Sequence, residues 1–157
     1  MTRRSKIVRP LTNAAGLTWR ILVGHNLGED VFESLKADAT DGVIVERARR
    51  DFPALLARCR LSISQGGYNT VLETLAAGCR AVIAPYAGGL ETEQTLRAEA
   101  LQARGALEVV PEDDLTPTRL ATAVNKALVN PPSSAAGVRI DGAEETTRIL
   151  KALAAAR

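Results

Sequence analysis

Leu61-Ser62-Ile63-Ser64-Gln65-Gly66-Gly67-Tyr68-Asn69-Thr70-Val71-Leu72-Glu73 holds a strand, a bend and the opening of a helix in one short run. Leu61 to Ser64 alternates apolar and small residues, as a short buried strand does, and ends at Gln65. Gly66 and Gly67 predict a tight turn, and Tyr68 to Ala77 predicts a helix that ends at Gly78. A chain that passes through glycines into a helix leaves its first backbone N–H groups unpaired. With the helix dipole behind them, those donors suit an anion, phosphate first among them. Glycine belongs there because a Cβ would block close approach to the backbone and resist φ > 0.

The same alternation of strand and helix extends in both directions. Upstream, Trp19 to Val23 and Val43-Ile44-Val45 read as strands, and Gly28 to Ala39 is amphipathic through Val31, Phe32 and Leu35. Asp51 is placed to cap a short helix that carries Pro53 early and Phe52, Leu55 and Leu56 on its apolar face. Downstream, Ala81 to Ala84 is a strand closed by Pro85, and a Gly88-Gly89 loop leads into a helix from about Glu91 to Arg104. Leu107 to Val110 makes a fifth strand, and Thr116-Pro117 starts a helix carrying Leu120, Val124 and Leu128. Pro131-Pro132-Ser133-Ser134 reads as a linker, and Asp141 with Glu144 resembles a capping box for a last helix. Short buried strands alternating with helices predict a parallel sheet covered on both faces, a Rossmann-like doubly wound α/β fold. In such sheets ligands bind beyond the carboxyl ends of the strands, which is where the Gln65–Gly67 turn falls. The expected divisions are an N-terminal segment 1–18, the remnant of a first βα unit, an α/β domain 19–130, and a linker with a C-terminal helix 131–157.

Composition narrows the function classes. A chain of 157 residues suffices for one ordinary core. A formal net charge of +2 argues against a nucleic-acid binder. Arg3, Arg4, Lys6 and Arg9 crowd the N-terminus and read as a solvated tail, while Arg47, Arg49 and Arg50 form a second cluster. Cys59 and Cys79 lie in apolar surroundings without CxxC spacing, so they read as reduced, buried small hydrophobes of a cytoplasmic protein. The single histidine, His25, has no partners at metal-ligand spacing, so no metal and no cofactor is expected. Arg80 interrupts the longest apolar run, well short of a membrane span, and no signal-peptide core follows the basic start.

Glu73 sharpens the reading of the bend. It lies one helical turn past Asn69, a rise of roughly 6 Å, and off the stripe of Val71, Leu72 and Leu75. A carboxylate there can accept hydrogen bonds from ribose hydroxyls while a diphosphate rests on the helix N-terminus. Nicotinamide dinucleotide sites place their ribose carboxylate ~20 residues beyond the glycines. Glu73 comes far sooner, which argues against that cofactor. An ordinary solvated glutamate favoured by the helix dipole fits the spacing as well.

The ordered series Ser64-Gln65-Gly66-Gly67-Tyr68-Asn69-Thr70 with Glu73, Leu75-Ala76-Ala77-Gly78 and Ala81-Val82-Ile83-Ala84-Pro85 resembles the nucleotide-sugar-binding half of GT-B glycosyltransferases, and most of all the family 28 C-terminal domain. The similarity spans about residues 19–128. It implies that the Gly66-Gly67 bend with Tyr68, Asn69 and Thr70 cradles the diphosphate of a UDP-sugar, with UDP-N-acetylglucosamine the first donor to consider, and that Glu73 holds the ribose. It also implies that the loop before Asp51 presents Ala48 and Arg49 to the uracil, and that Glu93-Gln94 binds sugar hydroxyls. Each residue has a plainer structural reading: Tyr68 as packing, Arg49 as a loop charge, Glu93 and Gln94 as exposed helix residues.

The family's activity implies transfer that is inverting and metal-independent. Residues 1–18 lack the strand and Gly-rich turn that usually open this half, and the acceptor-binding half that carries the general base is missing. A fragment, a degenerate copy or one subunit of a split enzyme is therefore expected, with an acceptor-binding domain or separate subunit as partner. No catalytic residue is assigned within the chain. Peripheral membrane association would come through the absent half, and an uncovered cleft wall would favour homo-oligomers. Two other readings stand beside this one. UDP-N-acetylglucosamine 2-epimerases share the strand, Gly-Gly and helix but show an acidic residue before the bend and paired glutamates on the helix, unlike Ile63-Ser64-Gln65 and the single Glu73. A non-catalytic nucleotide-sugar-binding or interaction module is the other.

Overall fold

The computed structural model describes residues 7–86, 88, 92–131 and 142–155. Five strands are present where the alternation places them: β1 (Trp19–Val23), β2 (Val43–Arg47), β3 (Ser62–Ser64), β4 (Ala81–Ile83) and β5 (Glu108–Val109). The helices between and after them are α1 (Glu29–Ala37), α2 (Phe52–Leu56), α3 (Tyr68–Ala76), α4 (Glu93–Ala103), α5 (Pro117–Val129) and α6 (Gly142–Ala155). Arg3, Arg4, Lys6, Gly89, the expected helix start at Glu91, Pro132 to Ser134 and Asp141 lie outside the described residues.

Every strand pair is parallel, in keeping with the βαβ alternation. The strands are divided between two sheets, β1-β2 and β3-β4-β5. Trp19 pairs with Val43 and Val23 with Arg47 in the first, and Ser62 with Ala81 and Val82 with Glu108 in the second. The Trp19 N–H donates to Gly42 O at 2.8 Å, so Trp19, Ile21 and Val23 turn their backbone groups toward β2. Arg20 and Leu22 consequently turn theirs the other way, where no strand pairs with β1 among the described residues. By the same alternation Ser62 faces Arg80 O at 2.8 Å and Ile63 faces away from β4.

Side chains explain how the layers hold. Along β4, Val82 points into a cluster with Val8, Val110, Leu120 and Val124. Its neighbours Ala81 and Ile83 point into the opposite cluster with Val71, Leu75, Ala98 and Leu101. This period-two switch buries both faces of the β3-β4-β5 sheet, with α5 on one side and α3 and α4 on the other. A third cluster joins Val23, Val43 and Val45 to Phe32 of α1. Trp19 packs against both the first and the third, which ties the two sheets together through side chains.

Local chemistry fixes the ends. Thr116 Oγ1 accepts the Arg119 N–H at 3.2 Å and Pro117 opens α5, the expected start. The basic-tail reading fails at Arg9, which is structural: its guanidinium donates to Asp41 O at 2.6 Å and Leu17 O at 3.3 Å. It lies against Gly42, whose φ of +76° lets the chain turn beneath it. A charge run in sequence does not distinguish a tail from a clamp, because the carbonyls that capture Arg9 come from distant turns.

Candidate functional site

The bend after β3 is shaped from below by β4. Gly66 adopts φ +77°, and a Cβ there would collide with Ile83 Cγ2. Its own N–H donates to Ser64 Oγ at 3.3 Å, so Gly66 shapes the turn rather than offering a free donor. Gly67 differs. It is the N-cap of α3 with φ −54° and ψ 148°, and nothing lies within 4 Å of where its Cβ would be. No side chain caps α3. The N–H groups of Gly67, Tyr68, Asn69 and Thr70 thus open onto a shelf at the carboxyl end of the sheet, unobstructed among the described residues and at the positive end of the helix. The donor set begins one residue later than the bend alone suggested.

Glu73 is half-buried one turn along α3, and among the described residues no hydrogen bond or ion pair engages its carboxylate. The buried positions of this helix are Val71, Thr74 and Leu75. Thr74 takes the core position by donating its hydroxyl to Thr70 O at 2.6 Å. Leu72, read as part of the apolar stripe, is only half-buried beside Glu73. Tyr68 is exposed, which removes its reading as a packing residue.

The start of α4 meets α3 through a residue that the sequence did not single out. The Arg97 guanidinium lies 5.2 Å from the Tyr68 ring centroid and pairs with Glu93 Oε1 at 2.9 Å. Its Nη1 is buried without a hydrogen-bond partner among the described residues. Arg97 therefore joins Tyr68 and Glu93 in one cluster and carries unspent donor capacity beside the α3 N-terminus. An i, i+4 spacing from Glu93 was visible in the sequence, but so short a pair is ordinary on any helix. Gln94 accepts the Tyr86 N–H at 3.4 Å, which brings the loop after β4 against the same end of α4.

Arg49 does not join this cluster. It forms a bidentate pair with Asp51 at 2.8 and 2.7 Å and also approaches Glu46 at 3.5 Å. The hydrogen bonds to Asp51 raise the Arg49 pKa further and hold the Asp51 carboxyl below its usual range. Asp51 was expected to cap α2. It occupies the N-cap position without a side-chain cap bond, because its carboxylate is turned to Arg49. Ala48 has both backbone groups engaged, its N–H on Val23 O at 2.8 Å and its C=O on His25 Nε2 at 3.0 Å. Arg47 donates to Gly24 O and Leu27 O, pairs with Glu29 and covers the Phe32 ring at 4.1 Å. The loops after β1 and β2 are thereby bound to each other.

The reading of the cysteines changes. Cys79 is buried but Cys59 is exposed, and their sulfurs lie 3.0 Å apart. Among the described residues, no group of three or more His, Cys, Asp or Glu side chains could hold a metal ion. No helix there is long and apolar enough to cross a membrane. A concavity of about 160 Å³ is lined by Arg9, Pro10, Ala15 and Thr40, none of them a residue of the α3 shelf.

The sequence matches the glycosyltransferase family 28 C-terminal domain over residues 9–152. Among curated relatives, a UDP-N-acetylglucosamine–N-acetylmuramyl-(pentapeptide) pyrophosphoryl-undecaprenol N-acetylglucosamine transferase of Mesorhizobium japonicum is 35% identical over 127 residues, covering 78% of this chain and 34% of the relative. The Brucella canis protein of the same name is 33% identical over 133 residues, covering 82% of this chain and 35% of the relative. This chain thus spans about a third of the length of these relatives. Among solved structures, Acinetobacter baumannii MurG superposes with a TM-score of 0.67 at 20% identity, over 96% of this chain and 46% of that one. The glycosyltransferase VinC in complex with dTDP gives 0.63 at 23% identity, over 84% of this chain and 31% of that one. These likenesses establish the fold, a Rossmann-like α/β unit as found in GT-B glycosyltransferases. With the family match running through all five strands and the α3 shelf, the chain belongs to the glycosyltransferase family 28 C-terminal domain family.

Proposed function

We propose that this chain is the donor-binding domain of a glycosyltransferase that uses a UDP-sugar, UDP-N-acetylglucosamine in the first instance. The observation that carries the proposal is the N-terminus of α3, which among the described residues is uncapped, with an unobstructed Gly67 and an unengaged Glu73 one turn along. The diphosphate accepts hydrogen bonds from the amides of Gly67 to Thr70, and the Glu73 carboxylate accepts from the ribose hydroxyls. Each hydrogen bond to a charged group contributes ~1.5–3 kcal/mol. Glu93 and Gln94 stand at the start of α4 for the sugar hydroxyls, and Arg97 adds positive charge beside the diphosphate. The uracil edge meets the main chain after Ala48, since that residue's own N–H and C=O are taken.

On this proposal the transfer inverts the anomeric centre and needs no metal. An acceptor hydroxyl attacks the anomeric carbon, the bond from that carbon to the diphosphate oxygen breaks, and UDP departs with the electron pair. The helix dipole and the α3 amides stabilise charge growing on that leaving group. The acceptor and the base that takes its proton belong to an acceptor-binding domain or subunit, the counterpart of the remaining two thirds of the relatives.

Isothermal titration with UDP tests the reading. UDP is expected to bind, and Glu73→Ala to weaken it by about 10–100-fold, the equivalent of ~1.5–3 kcal/mol, with the melting temperature nearly unchanged. Absence of heat at millimolar UDP, or equal affinity for both proteins, would overturn it. Binding without transfer in the presence of the acceptor half would leave a nucleotide-sugar-binding module.

A further inference from the structure

We propose that Cys59 and Cys79 form a reversible disulfide, with Cys59 as the thiol that reacts first and Cys79 as the resolving thiol. The two are 20 positions apart in sequence, yet their sulfurs lie 3.0 Å apart in the fold. About 1 Å of closure brings them to bonding distance. Two independent features of the backbone produce this meeting. Cys59 follows α2, its N–H bonded to Leu55 O at 2.9 Å. Cys79 follows Gly78, whose φ of +62° ends α3 and turns the chain back toward β4. The helices α2 and α3 pack against each other, so their carboxyl ends present the two thiols to one another.

The pair is asymmetric in the way a reacting and a resolving thiol require. Cys59 is exposed and Cys79 buried. The hydrogen bond shared with the Cys79 sulfur draws the Cys59 pKa down to about 7, while the same bond and burial push Cys79 up. The shift at Cys59 favours its thiolate, and the opposite shift at Cys79 favours its thiol.

The oxidant is a low-molecular-weight disulfide such as oxidised glutathione. The Cys59 thiolate attacks one of its sulfurs, the glutathione S–S bond breaks, and one glutathione thiolate leaves with the electron pair. Cys79 then gives its proton to water or to that thiolate and attacks Cys59 Sγ. The mixed disulfide breaks and the second glutathione thiolate departs. In balance, the protein loses two electrons and two protons and the glutathione disulfide becomes two thiols. The bond closes a loop that holds β3, the Gly66-Gly67 bend and all of α3. Oxidation therefore locks this unit without touching the amides at the far end of α3.

The experiment equilibrates the intact chain with a series of glutathione redox buffers, alkylates free thiols with N-ethylmaleimide and weighs the protein. The expected product carries no alkylated cysteine, is about 2 Da lighter than the reduced chain and recovers both thiols in dithiothreitol. Its melting temperature should rise by on the order of 5–10 °C. Cys79→Ser should stop at a glutathione adduct on Cys59, because nothing resolves it. Two alkylatable thiols throughout the series, or disulfide-linked dimers in place of the internal bond, would overturn the proposal. Should the variant not fold, the order of alkylation in the unmodified chain decides: Cys59 labelled at least tenfold faster supports it, and Cys79 labelled equally fast or first refutes it.

Discussion

Gly66→Ala and Gly67→Ala are adjacent single-methyl changes with opposite expected consequences. At Gly66 the methyl faces two costs. The backbone at φ +77° is the left-handed region, where a non-glycine residue is less stable by ~1–2 kcal/mol. The new carbon would also sit roughly 1 Å closer to Ile83 Cγ2 than carbon atoms pack, with Val71 Cγ2 at 3.7 Å on another side. Ile83 is among the most buried residues of β4 and cannot swing away, so overpacking adds ~1–3 kcal/mol. Reduced freedom of the unfolded chain returns only ~0.4–1 kcal/mol. The net is a loss of about 2–4 kcal/mol, or a fall in melting temperature of roughly 5–15 °C at this size. At Gly67, φ is −54° and nothing lies within 4 Å of the added carbon. The entropic gain and a slightly poorer N-cap nearly cancel, so stability should stay within about 0.5 kcal/mol. That methyl instead stands on the shelf before the free amides, and UDP affinity should fall by an order of magnitude or more. Urea unfolding of both variants with UDP calorimetry on the Gly67 variant reads these outcomes. A Gly66→Ala protein as stable as the parent, or a Gly67→Ala protein with unchanged UDP affinity, would refute the assignment of one glycine to shape and the other to access.

Three further outcomes follow from other parts of the molecule. Arg97→Met removes an i, i+4 pair with Glu93 and a contact with the Tyr68 ring, together worth about 1 kcal/mol, but also removes a buried, unpartnered Nη1 whose desolvation costs ~1–3 kcal/mol. Urea unfolding should show unchanged or slightly greater stability, and a clear loss would mean that Nη1 has a partner. Amide hydrogen exchange in β1 should alternate, slow at Ile21 and Val23 and faster at Arg20 and Leu22, because only the former face β2. Uniform protection would show a second strand on that edge. Alkylation of Cys59 by iodoacetamide should follow a titration centred at about 7. The reactive thiolate is the deprotonated form, so the rate rises with pH, roughly tenfold from pH 6 to pH 8. A midpoint near that of an ordinary thiol would remove the hydrogen bond shared with Cys79 as its cause.

Local sequence chemistry was sufficient for the elements themselves. All five strands, the glycine bend and the Thr116-Pro117 helix start stand where pattern and turn residues put them, because each depends on neighbours within a few positions. The family was legible as well, since its motifs are contiguous runs. What the sequence could not decide is which side chains are already committed. Gly66 looked like a donor until Ser64 took its N–H, and Asp51 looked like a cap until Arg49 took its carboxylate. Arg9 looked like tail until Asp41 and Leu17 met it, and Cys59 looked buried until α2 and α3 brought it to the surface beside Cys79. Arg97 had no signal at all beyond its spacing from Glu93. A hydrogen-bonding group is available only if nothing nearer claims it, and nearness across tens of residues is set by how helices pack on the sheets. By itself, then, the sequence determined the order of strands and helices and the helix end that opens beyond the carboxyl ends of the strands. Tertiary packing decided which donors and carboxylates are left open there and which thiols meet at the other end of α3, because burial and pairing depend on distance in space and not along the chain.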